Sequence, residues 1–160
     1  MLTPARDAAR FARSPEVEMR DSDWKHAQLS YAREVVPLLD KITCIMQAMG
    51  YCTKDVFGLR LALEEAIMNG LRHGNRSDPT KRVLIRYSVR SDRVLAEVED
   101  QGPGFKPGDV PDPVATENLT KPSGRGLLLI RHYTTWVQHN QRGNCLTLCK
   151  RPARPLSPPR

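Results

Sequence analysis

"LEEAIMNGLRHGNRSDP" (residues 63–79) sets Glu65, Asn69 and His73 at steps of four before the chain breaks at Asp78-Pro79. At 100° per residue, Leu59, Leu63, Ala66, Ile67, Gly70 and Leu71 fall on one side of a helix. Glu65, Asn69, Arg72, His73 and Arg76 fall on the other. The spacing predicts a helix from about Thr53, a candidate N-cap, to about His73. Its apolar side can pack on a sheet. Its polar side is either a solvated face or the wall of a cleft. Periodicity alone favours solvent and does not decide the matter.

Two alternating stretches follow the helix. RVLIRYSVR (82–90) and RVLAEVED (93–100) predict strands joined by a tight Ser91-Asp92 connection. The second strand runs straight into DQGPGF (100–105). Residues 106–123 are rich in proline, glycine and polar side chains, and an irregular stretch of that length is often functional, for instance as a lid. GRGLLLIRHYTT (124–135) predicts a helix. WVQHN and NCLTLCK predict a closing hairpin around Gln141-Arg142-Gly143.

On the other side of the helix, EVEMR (16–20) predicts a short first strand. WKHAQLSYAREVVPLLDKITCIMQAMG (24–50) predicts a helix with Gly50 at its C-terminal cap and Pro37 as a kink or a break. Residues 1–15 read as a flexible leader, 16–150 as one domain and 151–160 as a disordered Pro/Arg tail. By the crossover rules, this order predicts an α/β (α+β) two-layer sandwich, a mixed β-sheet with helices on one face.

Composition limits the function classes. The 160 residues suit a single domain with a modest core, and 39% hydrophobic with 27% charged residues excludes global disorder. No apolar run reaches a membrane-spanning length and the N-terminus lacks a secretory signal, so a cytoplasmic protein is expected. The net charge is +7, of which the tail holds +3; residues 1–27 balance five bases against five acids, which leaves +4 for residues 28–150. That charge suits a phosphate-binding pocket as well as a nucleic acid. The arginines are scattered and no DNA-binding motif accompanies them, which argues against direct nucleic-acid binding. Cys44, Cys52, Cys145 and Cys149 form no CxxC pair and no zinc pattern, and are expected as reduced thiols, the last two packing on one strand face.

Three clusters could carry chemistry. In DQGPG, the Asp100 carboxylate could accept a hydrogen bond from an exocyclic amine, while Gly102 and Gly104 let backbone approach a flat base or a phosphate. The same residues are turn formers, and in isolation a turn is the simpler explanation. In SGRG, a glycine-lined helix start offers free N–H groups to anions; Ser123 as a plain N-cap is the bland alternative. In EEAIMN, a carboxamide oxygen one turn from a carboxylate suits Mg²⁺ and proton transfer respectively. Glu64, about 100° round the helix from Glu65, is expected to be structural.

Taken together and in this order, the clusters resemble the histidine-kinase-like ATPase (GHKL, Bergerat-fold) superfamily, and within it the bacterial anti-sigma-factor serine/threonine kinases. LALEEAIMNGLRHGN corresponds to the N box, VEDQGPGF to the G1 box, and ENLTKPSGRGLLLIRHY to the lid end with the G2 box. The resemblance covers about residues 16–150. It implies the Bergerat ATP-binding fold with ATP and Mg²⁺ as cofactors. Asn69 would hold the metal, Glu65 would be the catalytic base, and Asp100 would recognise the adenine amino group. Gly102 and Gly104 would shape the base pocket. Gly124 and Gly126 would lie beneath the phosphates, with Lys121, Ser123 and Arg125 at the same end. The implied partners are a STAS-domain anti-anti-sigma protein as phosphoacceptor and a sigma factor, and a homodimer is left open. The alternative is a catalytically weak, nucleotide-responsive binding module that sequesters a sigma factor or another regulator.

The chain departs from the family at three points. GNC (143–145) replaces a common GT near the adenine, Pro122 stands where sporulation-type members often have an arginine, and the upstream phosphoacceptor-histidine domain of the superfamily's sensor histidine kinases is not expected. His73 has no assigned role.

Overall fold

The computed structural model describes residues 23–104 and 125–154. Its sheet has five strands in the order β1 (Lys25–Leu29), β2 (Val83–Val89), β3 (Val94–Glu99), β5 (Cys145–Lys150), β4 (Trp136–His139). Three α-helices, α1 (Val35–Ala48), α2 (Thr53–Asn69) and α3 (Arg125–Tyr133), accompany it among the described residues. Leu39, Ile42 and Met46 of α1, Leu59, Leu63 and Ile67 of α2, and Ile130 of α3 are all fully buried. They form one core with Val83, Ile85 and Tyr87 of β2, Val94, Ala96 and Val98 of β3, and Leu146 and Leu148 of β5. Truncating any one of these large side chains would remove buried apolar contact and leave a cavity, at about 2–5 kcal/mol. The two-layer α/β sandwich is therefore as expected.

The sheet itself differs from expectation. Every described pairing is antiparallel, where a mixed sheet was expected. The reason is the number of reversals. Two helices separate β1 from β2, so the chain returns antiparallel to its start. Among the described residues one helix, α3, lies between β3 and β4, and those two strands run parallel, but β5 folds back from β4 and inserts between them. The parallel crossover exists; the hydrogen bonds it would have made go to β5.

The stretch 24–50 is not one helix. Residues 25–29 form edge strand β1, paired with β2 so that Ala27 faces Ile85 and Leu29 faces Val83. Glu34 then divides strand from helix, its Oε2 accepting the N–H groups of Ser30 at 2.7 Å and Tyr31 at 2.9 Å. After a 3₁₀ turn at Ala32–Glu34, α1 starts at Val35, and Pro37 sits in its first turn, where a missing N–H costs nothing. Pro37 thus marks a helix start rather than a kink. The end at Gly50 is a paired cap, with Tyr51 N–H donating to the Met46 carbonyl at 3.1 Å and Gly50 N–H to Gln47 at 3.0 Å. Thr53 is the first residue of α2 and not its cap; Cys52 takes that position without a side-chain bond to the helix N–H groups. The expected strand at 16–20 lies outside the described residues.

Beyond β5 the chain is tied back to α2. The buried Asp55 carboxylate accepts the Ala153 N–H at 2.8 Å and pairs with Lys150 Nζ at 3.1 Å. Among the described residues no helix is long and apolar enough to cross a membrane.

Cys145 and Cys149 point away from the helices and are buried, Cys149 among Trp24, Leu95 and Trp136. Burial pushes the Cys145 thiol up to about 12. Cys44 and Cys52 are exposed. A thiol reagent at neutral pH is therefore expected to modify two cysteines quickly in the native chain and all four after denaturation. Rapid modification of three or four in the native chain would contradict this packing.

Candidate functional site

The polar side of α2 is not uniformly wet. Glu64, Arg72, His73 and Arg76 are exposed, whereas Glu65 and Asn69 are half-buried. The expected apolar residues on the opposite side, from Leu59 to Leu71, are buried against the sheet. Glu65 and Asn69 thus occupy one helical turn of a wall, and His73 lies outside it.

α2 does not end as an ordinary helix. Residues Gly70–Gly74 widen into a π turn, closed by Asn75 N–H donating to the Gly70 carbonyl at 2.8 Å. Arg76 and Ser77 follow in the left-handed region, at φ 54° and 57°. Such conformations are costly for side-chain-bearing residues and concentrate at functional sites, as π turns do. Here the detour carries the backbone onto the end of β3. A Cβ added at Gly74 would overlap the Asp100 carboxylate, and one at Gly102 would overlap the Gly74 carbonyl. Glycine is needed on both sides of that contact.

The junction is held by amides. Asn75 Oδ1 accepts the Gln101 N–H at 2.8 Å, and Gln101 Oε1 accepts the Arg82 N–H at 2.7 Å. Asn144 donates through Nδ2 to the Asp100 carbonyl at 3.0 Å, and its own carbonyl accepts the Asp100 N–H at 2.9 Å. Its Oδ1 accepts from Asn140 Nδ2 at 2.8 Å. The asparagine of GNC therefore fixes the backbone of Asp100 from behind. Gly104, at φ 75°, packs on the Arg142 carbonyl in the β4–β5 turn, and Arg142 Nη2 donates to the Gly102 carbonyl at 3.3 Å. Close backbone packing alone requires glycine at 104.

Asp100 presents its carboxylate in this frame. Oδ1 accepts the Gly102 N–H at 2.8 Å. Burial raises its pKa, against the opposing effects of that N–H and of the Arg142 and Lys81 cations. For an acid, a raised folded pKa means that ionisation costs the fold stability, and the cost appears as pH rises from the unfolded value through the folded one. A carboxylate held ionised at such a cost is a common mark of a ligand-binding group.

At the other end, α3 meets Glu65. A Cβ on Gly126 would overlap the Glu65 carboxylate, so the second glycine of SGRG lets an acid sit over the helix start. Arg125 is exposed beside it. α3 is fixed against α2 by Tyr133, which packs on Gly58 and edge-on to Phe57 with ring centroids 6.4 Å apart. Lys121, Ser123 and Gly124, like the expected lid at 106–123, lie outside the described residues.

The wall thus has an acid at each end. Gly74, which touches Asp100, follows Glu65 by nine residues, roughly 13 Å at 1.5 Å per residue. Asn69 lies between. The sequence pattern of the histidine kinase-like ATPase domain matches residues 29–150. The chain belongs to that family. Of the three clusters, the described parts of EEAIMN, DQGPG and SGRG lie along the α2 wall, through Glu65 and Asn69, Asp100 at Gly74, and Gly126 at Glu65. Among its relatives, the serine-protein kinase RsbW of Bacillus licheniformis is 38% identical over 61 residues, and RsbW of Bacillus subtilis (strain 168) is 33% identical over 61. Each match covers 38% of this chain, and the chain spans 38% of the length of each relative.

Periodicity and motif reading missed Gly74, Asn75, Arg142 and the use of Asn144. Gly74 and Asn75 close the stretch that corresponds to the N box, in the His-Gly-Asn run where the helix should stop, but received no role there.

Proposed function

We propose that the chain binds Mg·ATP along the α2 wall and acts as a protein serine/threonine kinase, an anti-sigma regulator that phosphorylates a Ser or Thr of a STAS-domain partner in the cytoplasm. The observation that carries this is the pairing at the wall's two ends, Asp100 pressed on Gly74 and Glu65 pressed on Gly126, with Asn69 between them. The names of the relatives support the reaction class.

The residues suit such a ligand. Glycines 74, 102 and 126 clear space at the two acids. Asp100 accepts from the exocyclic amine of the base, and Gly102 and Gly104 keep the neighbouring backbone close. Asn69 offers its carboxamide oxygen to Mg²⁺. The ion would take its other ligands from phosphates and water, as Mg²⁺ commonly does. Lys121, Ser123, Gly124, Arg125 and Gly126 serve the phosphate end. Mg·ATP supplies the phosphoryl group and part of the charge neutralisation. Glu65 takes the proton released by the acceptor hydroxyl. Most of the acceleration comes from positioning and charge.

Asp100→Asn tests the ligand directly. It keeps an oxygen for the Gly102 N–H but removes the charge that burial disfavours. The variant is expected to melt no lower than the parent at pH 7 and to bind ADP at least tenfold more weakly, about the loss of one buried charge-assisted hydrogen bond. In the parent, ADP affinity should fall as pH drops through the raised pKa of Asp100. Equal affinity in parent and variant would overturn the assignment.

A further inference from the structure

One buried donor beside Asp100 has no acceptor. Asn75 is 1% exposed. Its Oδ1 is taken by the Gln101 N–H at 2.8 Å, which fixes the amide orientation, and its Nδ2 has no hydrogen-bond partner. Its main chain is fully used, the N–H by Gly70 at 2.8 Å and the carbonyl by Asp78 N–H at 3.1 Å. Burying an amide N–H without an acceptor costs free energy, and native chains keep such a group chiefly where a ligand or an ordered water completes it.

The position of this donor narrows what completes it. Its chain neighbour Gly74 is pressed on the Asp100 carboxylate, and its hydrogen-bond partner Gln101 is the residue between Asp100 and Gly102. Of the other side-chain amides at the junction, Asn144 is committed at both ends, to the Asp100 carbonyl and to Asn140, and Gln101 is exposed, with its Oε1 on the Arg82 N–H. Two cations, Arg142 and Lys81, act on Asp100, and Arg142 Nη2 already donates to the Gly102 carbonyl. An uncommitted donor is therefore held, through Gly74 and Gln101, on the backbone that flanks the Asp100 carboxylate.

We propose that Asn75 Nδ2 donates to a ring nitrogen of the base, directly or through one water, so that Asn75 and Asp100 together read a 6-aminopurine. The inference rests on the nucleotide site proposed above. A 6-aminopurine presents an amino N–H beside an unprotonated ring nitrogen, which matches an acceptor next to a donor. A 6-oxopurine presents the reverse on its pairing edge, an oxygen beside an N–H. Read from that edge, it would set oxygen against carboxylate and N–H against the Asn75 donor, the arrangement that discriminates most strongly. Asn75 is thereby a specificity-determining residue.

The test is a titration of the full chain with Mg²⁺ and ADP, 1-deaza-ADP, 7-deaza-ADP and inosine diphosphate. It is run on the parent, on Asn75→Ala and on Asn75→Asp, which keeps an acceptor for the Gln101 N–H. Thermal melts identify which variants are folded. The parent is expected to lose about tenfold in affinity with one deaza analogue, and more with inosine diphosphate. In a folded variant that deaza penalty should shrink to within about twofold, because the two changes remove the same contact. A parent that binds every analogue like ADP, or a penalty that persists in the variants, overturns the role of Asn75 and leaves the nucleotide site standing. A parent that binds no adenine nucleotide overturns the site and the inference together.

Discussion

A Glu65→Gln chain is expected to transfer phosphate to a STAS-domain acceptor about 10²–10⁴ times more slowly than the parent, the range for loss of a positioned general base. Glutamine keeps the length and shape of the side chain, so the contact with Gly126 and the half-buried place on α2 persist. What it loses is the capacity to take a proton. Nucleotide affinity should therefore be unchanged, and single-turnover transfer measured beside ADP binding separates the two effects. Undiminished transfer would remove Glu65 as the base. Unaltered binding with no transfer in the parent itself would instead favour a nucleotide-responsive binding module.

The largest effect on stability is expected at Asp55. It is 2% exposed in the first turn of α2, where the helix dipole favours an anion. Burial works to raise its pKa, but the Ala153 N–H, Lys150 and the Cys52 side chain outweigh it and hold the carboxyl below its ordinary value. Asp55→Ala would leave the largely buried Lys150 ammonium without this partner and free the strap at residues 151–154. Breaking a buried pair on one side costs about 3–5 kcal/mol, a large share of the roughly 5–15 kcal/mol that holds a typical domain. The sign with pH follows from the lowered pKa. The contribution of Asp55 is complete above the unfolded value near 3.9 and is lost as pH falls through the lower folded one. Denaturant melts should therefore show the full gap between parent and variant at pH 7 and a narrower gap near pH 3. A gap under about 1 kcal/mol at pH 7 would make the pair an ordinary surface contact.

Much of this was legible in the sequence, and the exceptions share a cause. α2, α3, the β2–β3 hairpin and the β4–β5 hairpin are each specified by their own periodicity and turn residues, and each formed close to its expected bounds. β1 did not, because five residues between a tryptophan and a helix carry too little pattern. Its pairing with β2, far along the chain, decides its state. The antiparallel sheet depends on β5 inserting between β3 and β4, which no local pattern encodes. In the site, Glu65, Asn69 and Asp100 could be named from motifs. Gly74 and Asn75 could not, because their importance is a contact with Asp100 and Gln101 that exists only after the π turn forms. His73 shares the helical spacing of Glu65 and Asn69 but lies exposed, because the π turn breaks the spacing before it.

The most direct test of the nucleotide site is a crystal structure of the chain with Mg²⁺ and a non-hydrolysable ATP analogue. It should show one nucleotide lying along α2, its base against Asp100 and its metal at Asn69, with Glu65 facing the terminal phosphate. A nucleotide bound elsewhere, or one that leaves Asp100 and Asn69 untouched, would contradict the account.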